Sequence, residues 1–481
     1  MSYLVNNSYY MKDQIEISPY NTIFERLINF DKESDEDCMT FIHRYQTMID
    51  ELEEEQIEEK AWLLNKIGYH YAIHQNFDIS LRFFKESLVA YEKVFQYCDE
   101  EMPQTYELLA NMSMVYYCLE MYDDALTFVK RALKADGYNN DAKKIACYDL
   151  MSTIILKLGH YNAVEDDQRV AATWSDVYYG KNHPITKRLK LRKAYAAIKG
   201  SSINNNELIV KFWRAFDSYI SDYDKTSVGW ALGCEYQSDI LNVQGQFKKA
   251  LKKANEARVI REKTFGLCYV ETRIIYRLIA DIYARNGELK KAICWLNKSM
   301  QSVFEIGASY SVTQEAMCNI YIQENEWDKA IGCLEKSFSH CRQIYKGDCN
   351  QSNKIKEKMA EVYLASGQQQ LALDSYSYIL EHCDIFDYCK ISCLREKMGD
   401  IYLDINDRPN AYSNYYMAQE YYKRQALRIF QQEYSNPEIE KKMSQLMSQL
   451  REPVRSRGIL IRLCLAILKI IRRYKEIIVK R

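Results

Sequence analysis

Glycine and proline are scarce in this chain, with 16 and 6 residues respectively among 481. Together they reach less than half of the usual combined share of about 12%. This scarcity excludes collagen-like and proline-rich chains and disfavours all-β folds, which need many turns. Hydrophobic residues nevertheless make up 47% of the chain, and tyrosine alone contributes 40 residues. Such a composition excludes wholesale disorder and favours long helices.

Several functional signatures are also missing. The fifteen cysteines include no CxxC pair, which favours reduced thiols over a disulfide framework or a zinc site. The common nucleotide, zinc-protease and acyl-transfer motifs are absent. No apolar stretch reaches the roughly 18 residues that a membrane-spanning helix needs, and the first residues do not resemble a secretory signal. We therefore expect a cytoplasmic, non-enzymatic protein with no catalytic residue, no metal and no cofactor.

What the chain does contain is a repeat. Small residues lie twelve positions apart in seven places, and an eighth pair has valine as its second member. Tyrosine follows the first small residue by three positions six times, and glycine or asparagine follows it by seven positions six times. The spacing predicts pairs of antiparallel helices that touch at the small residues and turn at the glycine or asparagine. We expect the tyrosines to fill the gaps between neighbouring pairs. The small-residue pairs are Gly68/Ser80, Ser113/Ala125, Ser152/Val164, Ser238/Ala250, Ala280/Ala292, Cys318/Ala330, Ala360/Ala372 and Gly399/Ala411.

This pattern resembles the tetratricopeptide repeat, a helix–turn–helix unit of 34 residues. The resemblance implies an all-α fold, a right-handed α-solenoid of tetratricopeptide-like helix pairs. The present units are longer, mostly 38 to 45 residues apart. That spacing, with the segments VYYGKNHPITKRL and ANEARVIREKTFG, is similar to the kinesin-light-chain and nephrocystin-like subtype.

The repeat spacing also predicts how the chain is divided. A gap of 86 residues between Ser152 and Ser238 indicates a degenerate unit near residues 187–228, with LKLRKAYAAIKG and NELIVKFWRAFDSYIS as its helices. The expected parts are a flexible N-terminus at 1–20, a helical cap at 21–60, a solenoid of about nine helix pairs at 61–425, a polar helix and linker at 426–456, and a basic amphipathic helix at 457–481.

The resemblance further implies a binding groove formed by the first helices of the pairs. Positions three before and one after each small residue should face this groove. In the last five units, eight carboxylates and four cations lie between six positions before and one position after the small residue, which favours a basic or mixed-charge protein segment as ligand. A superhelix that grips RNA is the less favoured alternative, since it would need a basic interior. The expected groove residues are Glu235, Asp239, Arg277, Asp281, Glu315, Asn319, Lys354, Glu357, Lys358, Glu361, Glu396, Lys397 and Asp400.

The C-terminal segment differs from the repeats. Residues 451–481 contain ten Lys or Arg and two Glu, a net charge of +8. On a helix, their basic side chains would form a narrow stripe beside a wide apolar face, which suits an anionic membrane surface. Packing on the last repeat and self-association are the open alternatives. The residues expected to make the attachment are Arg462, Lys469, Arg472, Arg473 and Lys480.

Overall fold

The structure, a computed structural model, describes residues 35–94, 103–135, 141–201, 205–267, 269–300, 307–345, 347, 349–430 and 435–450. Every regular element in these ranges is helical, and they contain no strand. The chain divides into two compact units, Met1–Ile320 and Tyr321–Arg481. No helix in the described part combines the length and apolar character needed to cross a bilayer.

The described part of the first unit starts with a single helix and continues with helices that pair with their neighbours along the chain. A short 3-10 turn, Pro103–Thr105, leads directly into the helix that starts at Tyr106. Its helices are α1 (Asp35–Asp50), α2 (Ile57–Ile73), α3 (Phe77–Val94), α4 (Tyr106–Cys118), α5 (Tyr122–Ala135), α6 (Asp141–Lys157), α7 (Tyr161–Tyr178), α8 (Pro184–Gly200), α9 (Asn206–Ile220), α10 (Val228–Val243), α11 (Phe247–Phe265), α12 (Val270–Arg285) and α13 (Leu289–Met300), followed by most of α14 (Ser309–Gln323).

The second unit continues the same alternation. In it α16 pairs with α17 and α18 pairs with α19, while the last helix packs on α19. Its helices are α15 (Trp327–Tyr345), α16 (Asn350–Ala365), α17 (Gln369–His382), α18 (Tyr388–Asp404), α19 (Arg408–Phe430) and α20 (Pro437–Leu450).

The contacts inside the pairs have the predicted twelve-residue spacing. In three pairs a serine hydroxyl of one helix donates a hydrogen bond to the backbone carbonyl of its small partner on the other helix. Because a buried hydroxyl must be hydrogen-bonded, serine can replace alanine at the crossing without loss of close packing. These bonds are Ser80 Oγ to Gly68 O at 2.7 Å, Ser113 Oγ to Ala125 O at 2.7 Å, and Ser238 Oγ to Ala250 O at 2.8 Å.

The turns also lie where the spacing predicts them. The glycine or asparagine seven positions after the first small residue has a positive φ in all six pairs that contain one. The two pairs that lack such a residue have Gln75 (φ 61°) and Glu120 (φ 62°) at the same position. A side chain in this left-handed region costs on the order of 1 kcal/mol or more, so Gln75 and Glu120 are exceptions that need a reason. The six turn residues are Gly159, Gly245, Gly287, Asn325, Gly367 and Asn406.

Two of the repeat tyrosines stack within their own hairpin. Tyr71 stacks on Phe83 and Tyr116 stacks on Phe128, with ring centroids 5.6 Å and 5.2 Å apart. Each phenylalanine belongs to the second helix of the same pair. These two tyrosines therefore stabilise their own hairpin. That the repeat tyrosines also fill the gaps between hairpins stays a prediction, although Tyr71 packs against an apolar cluster that includes Ile42 of α1.

The two segments expected to form the degenerate unit are both helical, as α8 and α9, and these helices contact each other. That they form a repeat unit stays a prediction. His183 caps α8 by accepting the Ile185 N–H at 3.4 Å, and Pro184 starts the helix. Proline suits this first position because its missing N–H would have no partner there. The division into cap, solenoid and linker stays a prediction, and residues 1–20 and 457–481 lie outside the described residues.

Candidate functional site

Glu235, one of the expected groove residues, lies inside the first unit and is only 6% exposed. Its carboxylate oxygens lie 2.5 Å from Arg261 Nη2 and 3.2 Å from Lys157 Nζ. Burial alone would raise the pKa of Glu235, but the two cations outweigh burial and lower it to about 2. Glu235 is therefore an ionised anion that holds α6, α10 and α11 together.

A second carboxylate in this unit, Asp149 on α6, is shared by two arginines of α8. Arg188 Nη2 lies 2.7 Å from Asp149 Oδ2, and Arg192 Nη1 contacts Oδ1. Arg192 also donates to the Tyr236 hydroxyl at 3.3 Å. Burial would lower the pKa of Arg192, but Asp149 outweighs burial and raises it. Asp149 lies three positions before Ser152, so the rule that selected the expected groove residues would also have found it.

Two further expected groove residues link consecutive first helices. Asp239 on α10 accepts hydrogen bonds from Tyr195 Oη at 2.5 Å and Lys199 Nζ at 2.9 Å, both on α8. Asp281 on α12 accepts one from Asn242 Nδ2 of α10 at 2.6 Å. These carboxylates therefore contribute to the packing of neighbouring repeats.

Arg277, the remaining cation expected in this part of the groove, belongs to a buried cluster around Glu120. The Glu120 cluster consists of Glu120, Arg273, Arg277 and Ser309. Arg273 Nε lies 3.2 Å from Glu120 Oε1, Ser309 Oγ donates to the same oxygen at 2.8 Å, and Arg277 contacts Oε2. Burial would raise the pKa of Glu120, but Arg277 and Arg273 outweigh it and lower the pKa. The left-handed turn after α4 is thus joined to α12 through Arg273, 153 residues further along the chain, and to α14 through Ser309, 189 residues further along.

The interior of the first unit leaves little empty space. The cavity between its charged clusters has a volume of about 70 Å³, whereas pockets for small organic ligands typically have about 300–1,000 Å³. Such a cavity has room for a few water molecules only. We conclude that the side chains around this cavity form a packed polar core. The aromatic residues of the lining are Tyr117, Tyr219, Tyr223, Tyr236, Phe265 and Tyr269.

An open hollow of about 610 Å³ lies elsewhere on the first unit, beside the start of α11. Trp213 of α9 is half-buried in its wall, while Lys249 and Lys252 are exposed. The segment KKALKK, residues 248–253, could have indicated this basic surface from the sequence. Its lysines do not lie at the positions that were expected to face the groove. We call this surface the α11 hollow. It is lined by Trp213, Gln237, Leu241, Gln244, Gln246, Lys249, Lys252 and Lys253.

The expected groove residues of the second unit form a partly exposed surface. Lys397 Nζ on α18 lies 2.6 Å from Glu357 Oε1 and 3.9 Å from Glu361 Oε1, both on α16. The Glu361 side chain is 61% exposed. One ammonium thus lies between two carboxylates, and this group carries a net negative charge.

A second group of the same composition lies one repeat further along. Lys442 Nζ of α20 lies 2.8 Å from Glu396 Oε1 and 2.8 Å from Asp400 Oδ1, and Asp400 also accepts the Tyr415 hydroxyl at 2.6 Å. Burial would lower the pKa of Lys442, but the two carboxylates outweigh it and raise the pKa. We call these two groups together the acidic face; it consists of Glu357, Glu361, Lys397, Glu396, Asp400 and Lys442.

Three features identify the fold: the regular helix pairs, the contacts between small residues twelve positions apart, and the left-handed turns. The array is tetratricopeptide-like. No family model matches the chain, and neither does any curated protein.

Solved structures with similar folds include TPR-like repeats of a kinesin light chain from Podosopora anserina, at 15% identity and a TM-score of 0.34, covering 41% of this chain and 95% of that one. Human IFIT1 dimers were also found, one with PPP-AAAA at 13% identity and a TM-score of 0.41, covering 87% of each chain. A second, with m7Gppp-AAAA, has 14% identity and a TM-score of 0.39, covering 87% of this chain and 88% of that one. Similarities this low carry no inference about ligands, and the kinesin-light-chain subtype stays a prediction.

The other expected site residues of this tetratricopeptide-like array are spread over α14, α16 and the C-terminal segment. On α14, Glu315 is half-buried and Asn319 is exposed. On α16, Lys354 is exposed and Lys358 is half-buried. The tail residues expected to attach the protein to a membrane or a partner lie outside the described residues; they are Arg462, Lys469, Arg472, Arg473 and Lys480.

Proposed function

We propose that the protein is a non-enzymatic scaffold whose acidic face binds a basic or mixed-charge segment of another protein. The observation that carries this proposal is the shared lysine in each group of the acidic face. Lys397 lies between two carboxylates of one repeat, and Lys442 lies between two carboxylates of the next. Counted over its own three charged side chains, each group carries a net charge of −1.

The exposure of the outer carboxylates also supports binding at this face. The side chains of Glu361 and Asp400 are 61% and 48% exposed, so an incoming ammonium or guanidinium can reach them without displacing buried groups. Their equivalent positions in successive repeats suit an extended segment with basic residues at intervals. In the first unit, Asp239 has the equivalent position but is paired with Lys199 and only 13% exposed, whereas Asp281 is 45% exposed and is paired with Arg285.

The test is a fluorescence-anisotropy titration of the full-length protein with a labelled twelve-residue peptide of alternating lysine and serine. The Glu361→Gln/Asp400→Asn double variant removes one charge from each group. Two exposed ion pairs are worth about 1 kcal/mol together, so we expect binding about five-fold weaker. Asp374→Asn/Glu381→Gln, on the exposed side of α17, is the matched control because it changes the net charge equally. Equal weakening in both variants would show that only net charge matters and would contradict the proposal.

Nucleic-acid binding is the second candidate function, and the α11 hollow is the observation that favours it. Three lysines beside a tryptophan can contact phosphates and stack a base. A labelled single-stranded RNA oligomer tests this function, with Lys249→Gln/Lys252→Gln as the variant. RNA binding that survives this double substitution, or that is absent in the wild-type protein, would exclude the hollow as an RNA site.

A further inference from the structure

Two cysteines of the second unit lie side by side where α15 ends and α16 begins. The sulfur atoms of Cys341 and Cys349 are 3.6 Å apart. Cys341 is 1% exposed on α15, whereas Cys349 is half-buried and is the N-cap residue of α16. Neither cysteine is in a disulfide.

The position of Cys349 favours its thiolate form. Its sulfur accepts the Ser352 backbone N–H at 3.4 Å, and the Ser352 hydroxyl accepts the Cys349 N–H at 2.9 Å, which together form a capping box. The hydrogen bond from Cys341 lowers the pKa of Cys349 more than burial raises it, and backbone N–H groups of Ser352 and Gln351 also lower it, to about 6. An N-cap thiolate also interacts favourably with the positive end of the helix dipole.

We propose that Cys349 is an oxidative modification site that reacts with hydroperoxides, and that Cys341 is the thiol that resolves it into a disulfide. The Cys349 thiolate attacks one peroxide oxygen, which breaks the O–O bond and gives a sulfenic acid and hydroxide. The Cys341 sulfur then attacks the Cys349 sulfur, and the sulfenic oxygen leaves as water. The two thiols together lose two electrons, and these reduce the peroxide.

We expect this cysteine pair to be oxidised in preference to the other cysteines. The preference comes from the second step, disulfide formation, rather than from the first step, attack on the peroxide. At neutral pH a thiol with a pKa of about 6 is roughly thirty times more ionised than an ordinary thiol, but its lower basicity removes most of that advantage in rate. A neighbouring thiol 3.6 Å away, however, captures the sulfenic acid without any encounter with another molecule. The resulting disulfide would fix the end of α15 to the helix that carries Glu357 and Glu361.

The experiment treats the reduced full-length protein with equimolar hydrogen peroxide, alkylates the remaining thiols and analyses tryptic peptides by mass spectrometry. Trypsin cleaves between the two cysteines, so a disulfide joins residues 337–342 to residues 347–354. We expect this joined pair, lost on treatment with dithiothreitol, while the exposed Cys294 and Cys389 stay mostly alkylatable. Oxidation of Cys294 or Cys389 before any joined pair forms would overturn the proposal.

Two single variants separate the roles of the cysteines. In Cys341→Ser, Cys349 should accumulate as a sulfenic acid that dimedone traps. In Cys349→Ser, Cys341 should stay reduced at the same peroxide dose, because it is buried. Dimedone labelling of Cys341 in that variant, at the rate seen for Cys349 in the other, would contradict the assignment. Circular dichroism spectra that match the wild type confirm that both variants are folded.

Discussion

The Glu120 cluster offers the sharpest structural prediction, because the chain contains its own control. Glu120 and Gln75 occupy the same left-handed turn position in neighbouring repeats, with φ of 62° and 61°. Only Glu120 is fully buried and paired with arginines, since its side chain and that of Arg273 are both 0% exposed. Substituting glycine at each position removes the same backbone strain but breaks the ion pairs only at Glu120.

The expected changes in the free energy of unfolding have opposite signs in the two glycine variants. Relief of the left-handed strain should stabilise Gln75→Gly by up to about 1 kcal/mol. Removing one partner of a buried ion pair costs about 3–5 kcal/mol, because Arg273 is left buried without its counter-ion. Glu120→Gly should therefore lose roughly 2–4 kcal/mol in total.

Hydrogen–deuterium exchange on the full-length variants measures the change in stability around each turn. We expect amides in residues 117–122 and 273–277 to exchange at least about thirty-fold faster in Glu120→Gly, since 2 kcal/mol corresponds to that factor. Residues 72–77 of Gln75→Gly should exchange at the wild-type rate or more slowly. If the two glycine variants behave alike, the cluster contributes no stability and our account of the Glu120 turn is wrong.

Three other predictions follow from the packing, the buried charge and the tail. Ala292→Leu should destabilise the protein by about 1–3 kcal/mol, because Ala280 and Ala292 are buried on paired helices; an unchanged melting temperature would contradict the repeat register. The pKa of Glu235 is lowered from 4.5 to about 2. Its contribution to the free energy of unfolding, on the order of 3 kcal/mol, should therefore be lost as the pH falls through this window. Unfolding titrations at a series of pH values should show this contribution in the wild type but not in Glu235→Gln. Deleting residues 451–481 should abolish co-sedimentation with anionic liposomes or reduce the mass measured by light scattering. If the truncation has neither effect, packing on the last repeat is the remaining role for this segment.

The periodic features of the fold could be predicted from the sequence because they are local. A serine and an alanine twelve positions apart meet across one short turn, so Ser113 and Ala125 reveal their contact in the spacing alone. The left-handed glycines are equally visible, since few other residues tolerate that backbone conformation. The helices α8 and α9 lie where the 86-residue gap in the spacing led us to expect them.

The interior pairing could not be predicted in this way. Glu120 and Arg273 are 153 positions apart, and no periodic signal connects a turn to a helix so far along the chain. The sequence singles out candidate inner positions, but a count of charges does not show which of them are paired within the protein. Asp239 and Glu361 have equivalent positions, each one residue after the first small residue, yet Asp239 is 13% exposed beside Lys199 and Glu361 is 61% exposed.

The central claim is that a basic segment of another protein binds the acidic face, and photo-cross-linking tests it most directly. The alternating lysine–serine peptide, carrying one benzophenone at its centre, is irradiated with the full-length protein and the cross-linked residues are identified by mass spectrometry. The account predicts cross-links on α16, α18 and α20, reduced in Glu361→Gln/Asp400→Asn and retained in Asp374→Asn/Glu381→Gln. Cross-links confined to other helices, or equal in both variants, would contradict it.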